Sequence, residues 1–123
     1  EILPEFKGRI EGTALNVPIP AGSLLDLTMV LRDGSPTIDQ INKTIEKAAK
    51  KLKGILEICE DPIVSVDVVG NQHSVIYDKQ ATMRSKGKMV KVLIWYHNTL
   101  AVASRIKDLM LAYQKIYEEG GSK

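Results

Sequence analysis

The sequence predicts an α+β domain, a mixed and largely antiparallel sheet with helices on one face. Three observations carry this expectation. Several short runs alternate apolar and polar residues, two longer stretches repeat apolar residues every three or four positions, and the elements come in the order strands, helix, strands, helix. Glycines and prolines fall singly between these segments, without an internal repeat or a pooled linker, so residues 1–123 read as one domain.

In the run 24–31, Leu25, Leu27, Met29 and Leu31 share one face, which predicts a strand that ends at Asp33-Gly34. A helix follows. Thr37 and Gln40 have capping-box spacing, Ile38, Ile41, Ile45, Ala48 and Leu52 form an apolar stripe, Lys50, Lys51 and Lys53 suit the negative end of the helix dipole, and Gly54 stands at the stop. The alternation in 63–69, with Val64, Val66 and Val68 against Ser65 and Asp67, predicts a second strand. The runs 74–82 and 88–96, parted by Ser85-Lys86-Gly87, predict a hairpin. The last run is apolar on both faces, Val90, Val92 and Ile94 against Met89, Leu93 and Trp95, which implies a central, covered strand. From about 99 to 117, Leu100, Ala103, Ile106, Met110, Tyr113 and Tyr117 predict a second amphipathic helix.

Composition narrows the function classes. With 44% hydrophobic and 26% charged residues in 123, the chain has a globular composition. Seventeen basic against fifteen acidic residues leave a net charge of +2, too little to neutralise a phosphate backbone, so no nucleic acid partner is expected. No apolar run approaches the roughly 20 residues that cross a bilayer, and the start lacks the pattern of an export signal, so no membrane association is expected. Cys59 is the single cysteine, which excludes an internal disulfide and a Cys-rich metal site and fits a reducing, cytoplasmic setting. A first residue Glu1 and an ending Gly120-Gly121-Ser122-Lys123 read as the limits of a processed product or of a piece of something longer.

A search for reactive groups returns few. No phosphate-cradling glycine loop occurs. Cys59 lies beside Glu60 and Asp61, which disfavour a thiolate, so it reads as a small structural hydrophobe. His73 and His97 are too few for a metal site unless folding adds Asp67 or Asp78, and no metal is expected. Lys47, Lys50, Lys51 and Lys53 read as a solvated helix end. Trp95-Tyr96-His97-Asn98 joins an apolar strand end to a polar helix start, a place where ligands gather; the alternative, favoured by spacing alone, is that Trp95 and Tyr96 are core and Asn98 caps the helix.

Gly8-Arg9-Ile10-Glu11-Gly12-Thr13-Ala14-Leu15-Asn16-Val17-Pro18-Ile19-Pro20, followed by Ser23-Leu24-Leu25-Asp26-Leu27-Thr28, resembles the stretch G-K-L-x-G-x-A-x-R-V-P-x-P, then S-V-x-D-L-T, of phosphorylating glyceraldehyde-3-phosphate dehydrogenases. The register persists through Glu60-Asp61-Pro62, His73-Ser74, Asp78, Ala81-Thr82, the run 90–98, and Ser104, Arg105, Asp108 and Leu109. The resemblance covers nearly the whole chain. It implies the C-terminal portion of the catalytic domain of an NAD-dependent glycolytic enzyme that oxidises and phosphorylates glyceraldehyde 3-phosphate, uses inorganic phosphate and assembles as a homo-oligomer.

The resemblance also implies what these residues lack. The family's nucleotide-binding domain, its S-C-T-T-N segment with the nucleophilic cysteine, and the histidine that activates that thiol have no counterpart here, so no catalytic residue is assigned and the isolated chain is expected to be inactive. Asn16 stands at the family's phosphate-binding arginine and offers no charged fork. Asn98 stands at the asparagine that binds the nicotinamide carboxamide, with His97, Thr99 and Val102 replacing the family's aspartate, glutamate and tyrosine around it. These replacements define an alternative: a divergent non-catalytic paralogue or truncated product acting as an oligomerisation or interaction module.

Overall fold

The computed structural model of the chain describes residues 2–120, so the first residue and the 121–123 tail lie outside the described residues. Four strands form one sheet: β1 (Ser23–Val30), β2 (Leu56–Cys59), β3 (Val75–Arg84) and β4 (Met89–Tyr96), in the order β1-β4-β3-β2. β4 is antiparallel to both of its neighbours, and β2 joins β3 in parallel. Helix α1 (Ile38–Lys51) follows β1, and helix α2 (Asn98–Gly120) follows β4. The α+β class and the mixed, largely antiparallel sheet agree with the expectation.

β4 sits inside the sheet, as its two apolar faces require. On one face Val90, Val92 and Tyr77 are buried together, with Leu27, Met29, Ile41, Ile45, Ile58 and Ile94 packed around them. On the other face lie buried Ile76 and Asp78. The crossover from β2 to β3 contributes Val68, which is 1% exposed and belongs to a 3-10 turn (Ser65–Val68) that contacts β4.

α1 begins where the capping box places it. Gln40 N donates to Thr37 Oγ1 at 3.2 Å, and Thr37 N donates to Gln40 Oε1 at 2.8 Å. Of its expected apolar stripe, Ile41 and Ile45 pack against the core. Ile38 and Leu52, at its two ends, are exposed, and the one buried residue is Asn42. A buried polar side chain needs partners, and β3 supplies them: the Tyr77 hydroxyl donates to Asn42 Oδ1 at 2.7 Å and also bonds the Thr82 hydroxyl, while Asn42 Nδ2 donates to the Lys79 carbonyl at 3.4 Å. Burial pushes the Tyr77 phenol up from its ordinary value, the Thr82 contact opposing it in part.

The Asn42, Tyr77 and Thr82 network sits at a break in the β3–β4 ladder. Asp78 pairs with Leu93 and Met83 with Lys91, so the residues between Asp78 and Met83 on β3 bulge out opposite Val92 alone. The Asp78 carboxylate closes the bulge by accepting from Ala81 N at 3.0 Å, and Lys79 on the bulge reaches Glu46 of α1 at 2.9 Å and Glu60 after β2. These two carboxylates hold the Lys79 ammonium above its usual pKa.

Three expectations are corrected. The segment 63–69 is not a strand: the Asp67 carboxylate accepts from Val64 N at 2.8 Å and bends the chain into the 3-10 turn, and Gly70 follows at φ 86°. The strand in that part of the chain is β2, which the sequence reading passed over. The stripe expected on α2 does not pack. Ala101 and Ser104 are the buried residues of that helix, whereas Ile106, Met110, Tyr113 and Tyr117 are 55–83% exposed.

Before β1 the chain passes close beneath the 3-10 turn. Gly22 has φ 89°, and a Cβ there would lie 2.2 Å from the Ser65 carbonyl oxygen. Replacing Gly22 with alanine is expected to cost about 2 kcal/mol or more from the strained φ and the collision, read as a lowered midpoint in urea denaturation. Replacing Tyr77 with phenylalanine removes the donor of a buried acceptor and is expected to cost about 1–3 kcal/mol. Because the folded phenol titrates above the unfolded one, its contribution is whole below about pH 10 and falls as pH rises through the folded value. The loss from Tyr77→Phe should therefore shrink at strongly alkaline pH, which urea titrations at several pH values would check.

Candidate functional site

The Trp95-Tyr96-His97-Asn98 stretch is the joint between the central strand and α2. Its orientation is set from β3. Asp78, 8% exposed, accepts from Trp95 Nε1 at 3.3 Å, so one buried carboxylate both closes the bulge and fixes the indole. The helix then starts in register, with Ala101 N donating to the His97 carbonyl at 2.9 Å. Asn98 is its first residue. Its Oδ1 accepts from Thr99 N at 2.8 Å and from the Thr99 hydroxyl at 3.3 Å, which fixes the amide plane; its Nδ2 has no partner among the described residues.

Arg105, two turns along, ties the helix down. Its Nη1 donates to the Gly54 carbonyl at 2.9 Å and to Ser74 Oγ at 3.2 Å, and its Nη2 pairs with Asp108 at 2.7 Å. The guanidinium thereby joins α2 to the turn before β2 and to the residue before β3. Between these anchors lies a cleft of about 390 Å³ lined by Ser74, Tyr96, Asn98, Ala101, Val102 and Arg105, with Ile106 and Leu109 at its outer part. Its size falls within the range of small-ligand sites, and its wall is apolar apart from a few polar groups. Two buried side-chain nitrogens of this part of the chain have no hydrogen-bond partner among the described residues: His97 Nδ1 and, in the cleft wall, Arg105 Nε.

The other candidate residues lie elsewhere. Asn16 is exposed, in the segment before β1 that has no regular secondary structure, and is not among the residues that line the Asn98 cleft. Cys59 ends β2 half-buried, its thiol 3.5 Å from the Asp61 carbonyl oxygen. His73 Nδ1 lies 3.0 Å from Glu57 Oε2 and 2.9 Å from Asn71 Oδ1, and Asn71 Nδ2 donates to the same Glu57 oxygen at 2.6 Å, a local tie between β2 and the turn into β3. The described residues contain no group of three or more His, Cys, Asp or Glu able to hold a metal ion, and Asp67 and Asp78 are engaged in the bonds given above. Lys47, Lys50, Lys51 and Lys53 are exposed at the end of α1 and beyond it.

Sequence reasoning assigned no role to Arg105 or Ser74. The signal for the first was present in the spacing: 98, 101, 102, 105 and 109 fall on one helical face, and Arg105 and Asp108 stand at an ion-pair interval. Ser74 carried none, because only the fold brings it against α2.

Residues 1–98 match the family described as glyceraldehyde 3-phosphate dehydrogenase, C-terminal domain. Among relatives, the chain is 44% identical over 110 residues to a glyceraldehyde-3-phosphate dehydrogenase of Borreliella burgdorferi, covering 88% of this chain and 33% of that protein. It is 43% identical over 110 residues to one of Streptomyces coelicolor, covering 88% and 32%, and 40% identical over 111 residues to glyceraldehyde-3-phosphate dehydrogenase 3 of Saccharomyces cerevisiae, covering 89% and 33%. The chain thus spans about one third of the length of these relatives. A family match over residues 1–98 and this level of identity place the chain in the glyceraldehyde 3-phosphate dehydrogenase C-terminal domain family.

Proposed function

We propose that these 123 residues serve as the C-terminal catalytic-domain segment of an NAD-dependent, phosphorylating glyceraldehyde-3-phosphate dehydrogenase, acting in glycolysis in the cytoplasm as part of a homo-oligomer. The observation that carries this reading is Asn98 at the rim of the cleft, with its oxygen held by Thr99 and its amide nitrogen available. That nitrogen suits the carbonyl oxygen of a nicotinamide carboxamide. Tyr96, Ala101 and Val102 add an apolar wall of the kind a pyridine ring packs against. When bound, NAD supplies the acceptor for the hydride that leaves the aldehyde carbon.

What this segment contributes is orientation. Asp78 holds Trp95, Trp95 leads into Asn98, and Arg105 fixes the helix that carries Asn98, so the amide is held before any ligand arrives. The rest of the cofactor would be held by residues beyond this chain, since no glycine-rich phosphate loop occurs within it. Asn16 would stand near the substrate phosphate with a neutral amide, so the positive charge that a phosphate calls for must come from another group. The relatives' identity over 88% of the chain supports this reading over that of a stand-alone interaction module.

Two outcomes test the proposal. The 123-residue chain alone should show no NAD-dependent oxidation of glyceraldehyde 3-phosphate, and turnover above a buffer control would refute the assigned division of labour. In the full-length dehydrogenase carrying this segment, Asn98→Ala should raise the KM for NAD about tenfold, the equivalent of one hydrogen bond to a bound ligand. The KM for glyceraldehyde 3-phosphate should change little. An unchanged KM for NAD would remove Asn98 from the cofactor site.

A further inference from the structure

We propose that His73 is a positioning residue for the cofactor contact at Asn98, acting through Ser74 and Arg105. The role rests on the reading of Asn98 as a nicotinamide contact, and it falls to a side chain that is not among those lining the cleft.

The polar tie between α2 and the β2–β3 end of the sheet narrows to one nitrogen. Nη2 of Arg105 is committed to Asp108 of the same helix, and Nη1 alone reaches out, to the Gly54 carbonyl at 2.9 Å and to Ser74 Oγ at 3.2 Å. A guanidinium presents its hydrogens in a fixed fork, so both acceptors must stand in place together. Gly54 belongs to the turn before β2 and Ser74 to the loop before β3. Main-chain bonds join these loops at the Ile55 carbonyl, which accepts from Ser74 N at 2.9 Å and from Val75 N at 3.0 Å. Upstream of Ser74 the path is less constrained: the loop leaves the 3-10 turn through Gly70 at φ 86° and passes through exposed Gln72.

Side chains supply the missing constraint there. His73 N donates to Asn71 Oδ1 at 2.9 Å, and His73 Nδ1 lies 2.9 Å from that same oxygen and 3.0 Å from Glu57 Oε2. Asn71 Nδ2 donates to Glu57 Oε2 at 2.6 Å, which turns the amide oxygen toward the imidazole. Both oxygens beside Nδ1 are therefore acceptors, and the nitrogen between them must carry the hydrogen. Glu57 is a fixed post, because it lies in β2 and pairs with Ile76 in the parallel ladder. The imidazole thus braces the loop against β2 one residue before the hydroxyl that Arg105 uses. Its side chain and that of Glu57 are 31% and 41% exposed, so the value of the contact lies in the direction it imposes on Ser74 more than in its charge.

The test uses the full-length dehydrogenase carrying this segment. His73→Leu should raise the KM for NAD about threefold, less than Asn98→Ala does, and leave the KM for glyceraldehyde 3-phosphate unchanged. His73→Asn puts an amide nitrogen at the same number of bonds from the main chain as Nδ1 and should restore the KM, whereas His73→Gln puts it one bond further out and should not. In an Asn98→Ala background, His73→Leu should raise the KM for NAD much less than it does alone, because the group it positions is gone. Where His73→Leu yields no folded enzyme, Glu57→Ala removes the same brace from the strand side and is read in the same way. An unchanged KM for NAD in His73→Leu, equal rises in both backgrounds, or rescue by glutamine in place of asparagine would overturn the proposal while leaving the Asn98 contact standing. Absence of any effect from Asn98→Ala would overturn the two together.

Discussion

β4 must be satisfied on both edges and both faces, and the remaining elements are arranged by that requirement. Its backbone is taken up by β1 and β3. Val90 and Val92 need an apolar cover on one side, which Tyr77 and the Ile41 and Ile45 positions of α1 provide. Trp95 needs an acceptor on the other side, which Asp78 provides. Because α2 continues directly from this strand, the position of Asn98 follows from how completely β4 is buried.

Two buried polar centres tune this arrangement, and both belong to the irregular part of β3. Asn42, Tyr77 and Thr82 pair on the α1 face, while Asp78, Trp95 and the Ala81 amide pair on the other. Each has low solvent access, so an unpaired member would carry most of its desolvation cost. The bulge between Asp78 and Met83 is what lets one strand serve both sides at once. It also brings Lys79 between Glu46 and Glu60, tying helix, sheet and crossover at one point.

Much of this could be read from residue order. The capping box at Thr37 located the start of α1, and the two-faced apolar run located the inner strand, because both signals are local and strong. β2 escaped because four residues give almost no alternation to count, and because Asp67 converts the more obvious alternation in 63–69 into a turn. The stripe on α2 was a true helical period that meets no surface among the described residues. Asn98 was singled out by its motif, whereas the cleft beside it had no signal in the sequence. That cleft requires Ser74 and Arg105 to meet across 31 positions of sequence, which no local pattern encodes.

The anchoring of α2 at one end has a consequence for how its helicity is sustained. Residues 106–120 are exposed all round, and an isolated helix of that length is marginal in water because closing the first turn is so unfavourable. Here the first turn is already closed by Ala101 and Ser104 against the body and by the Arg105 clamp, so the outer turns grow from a ready-made nucleus. The distal coil–helix balance is thereby coupled to one guanidinium: loosening it would unzip the helix from its root, whereas fraying at the tip would leave the root intact.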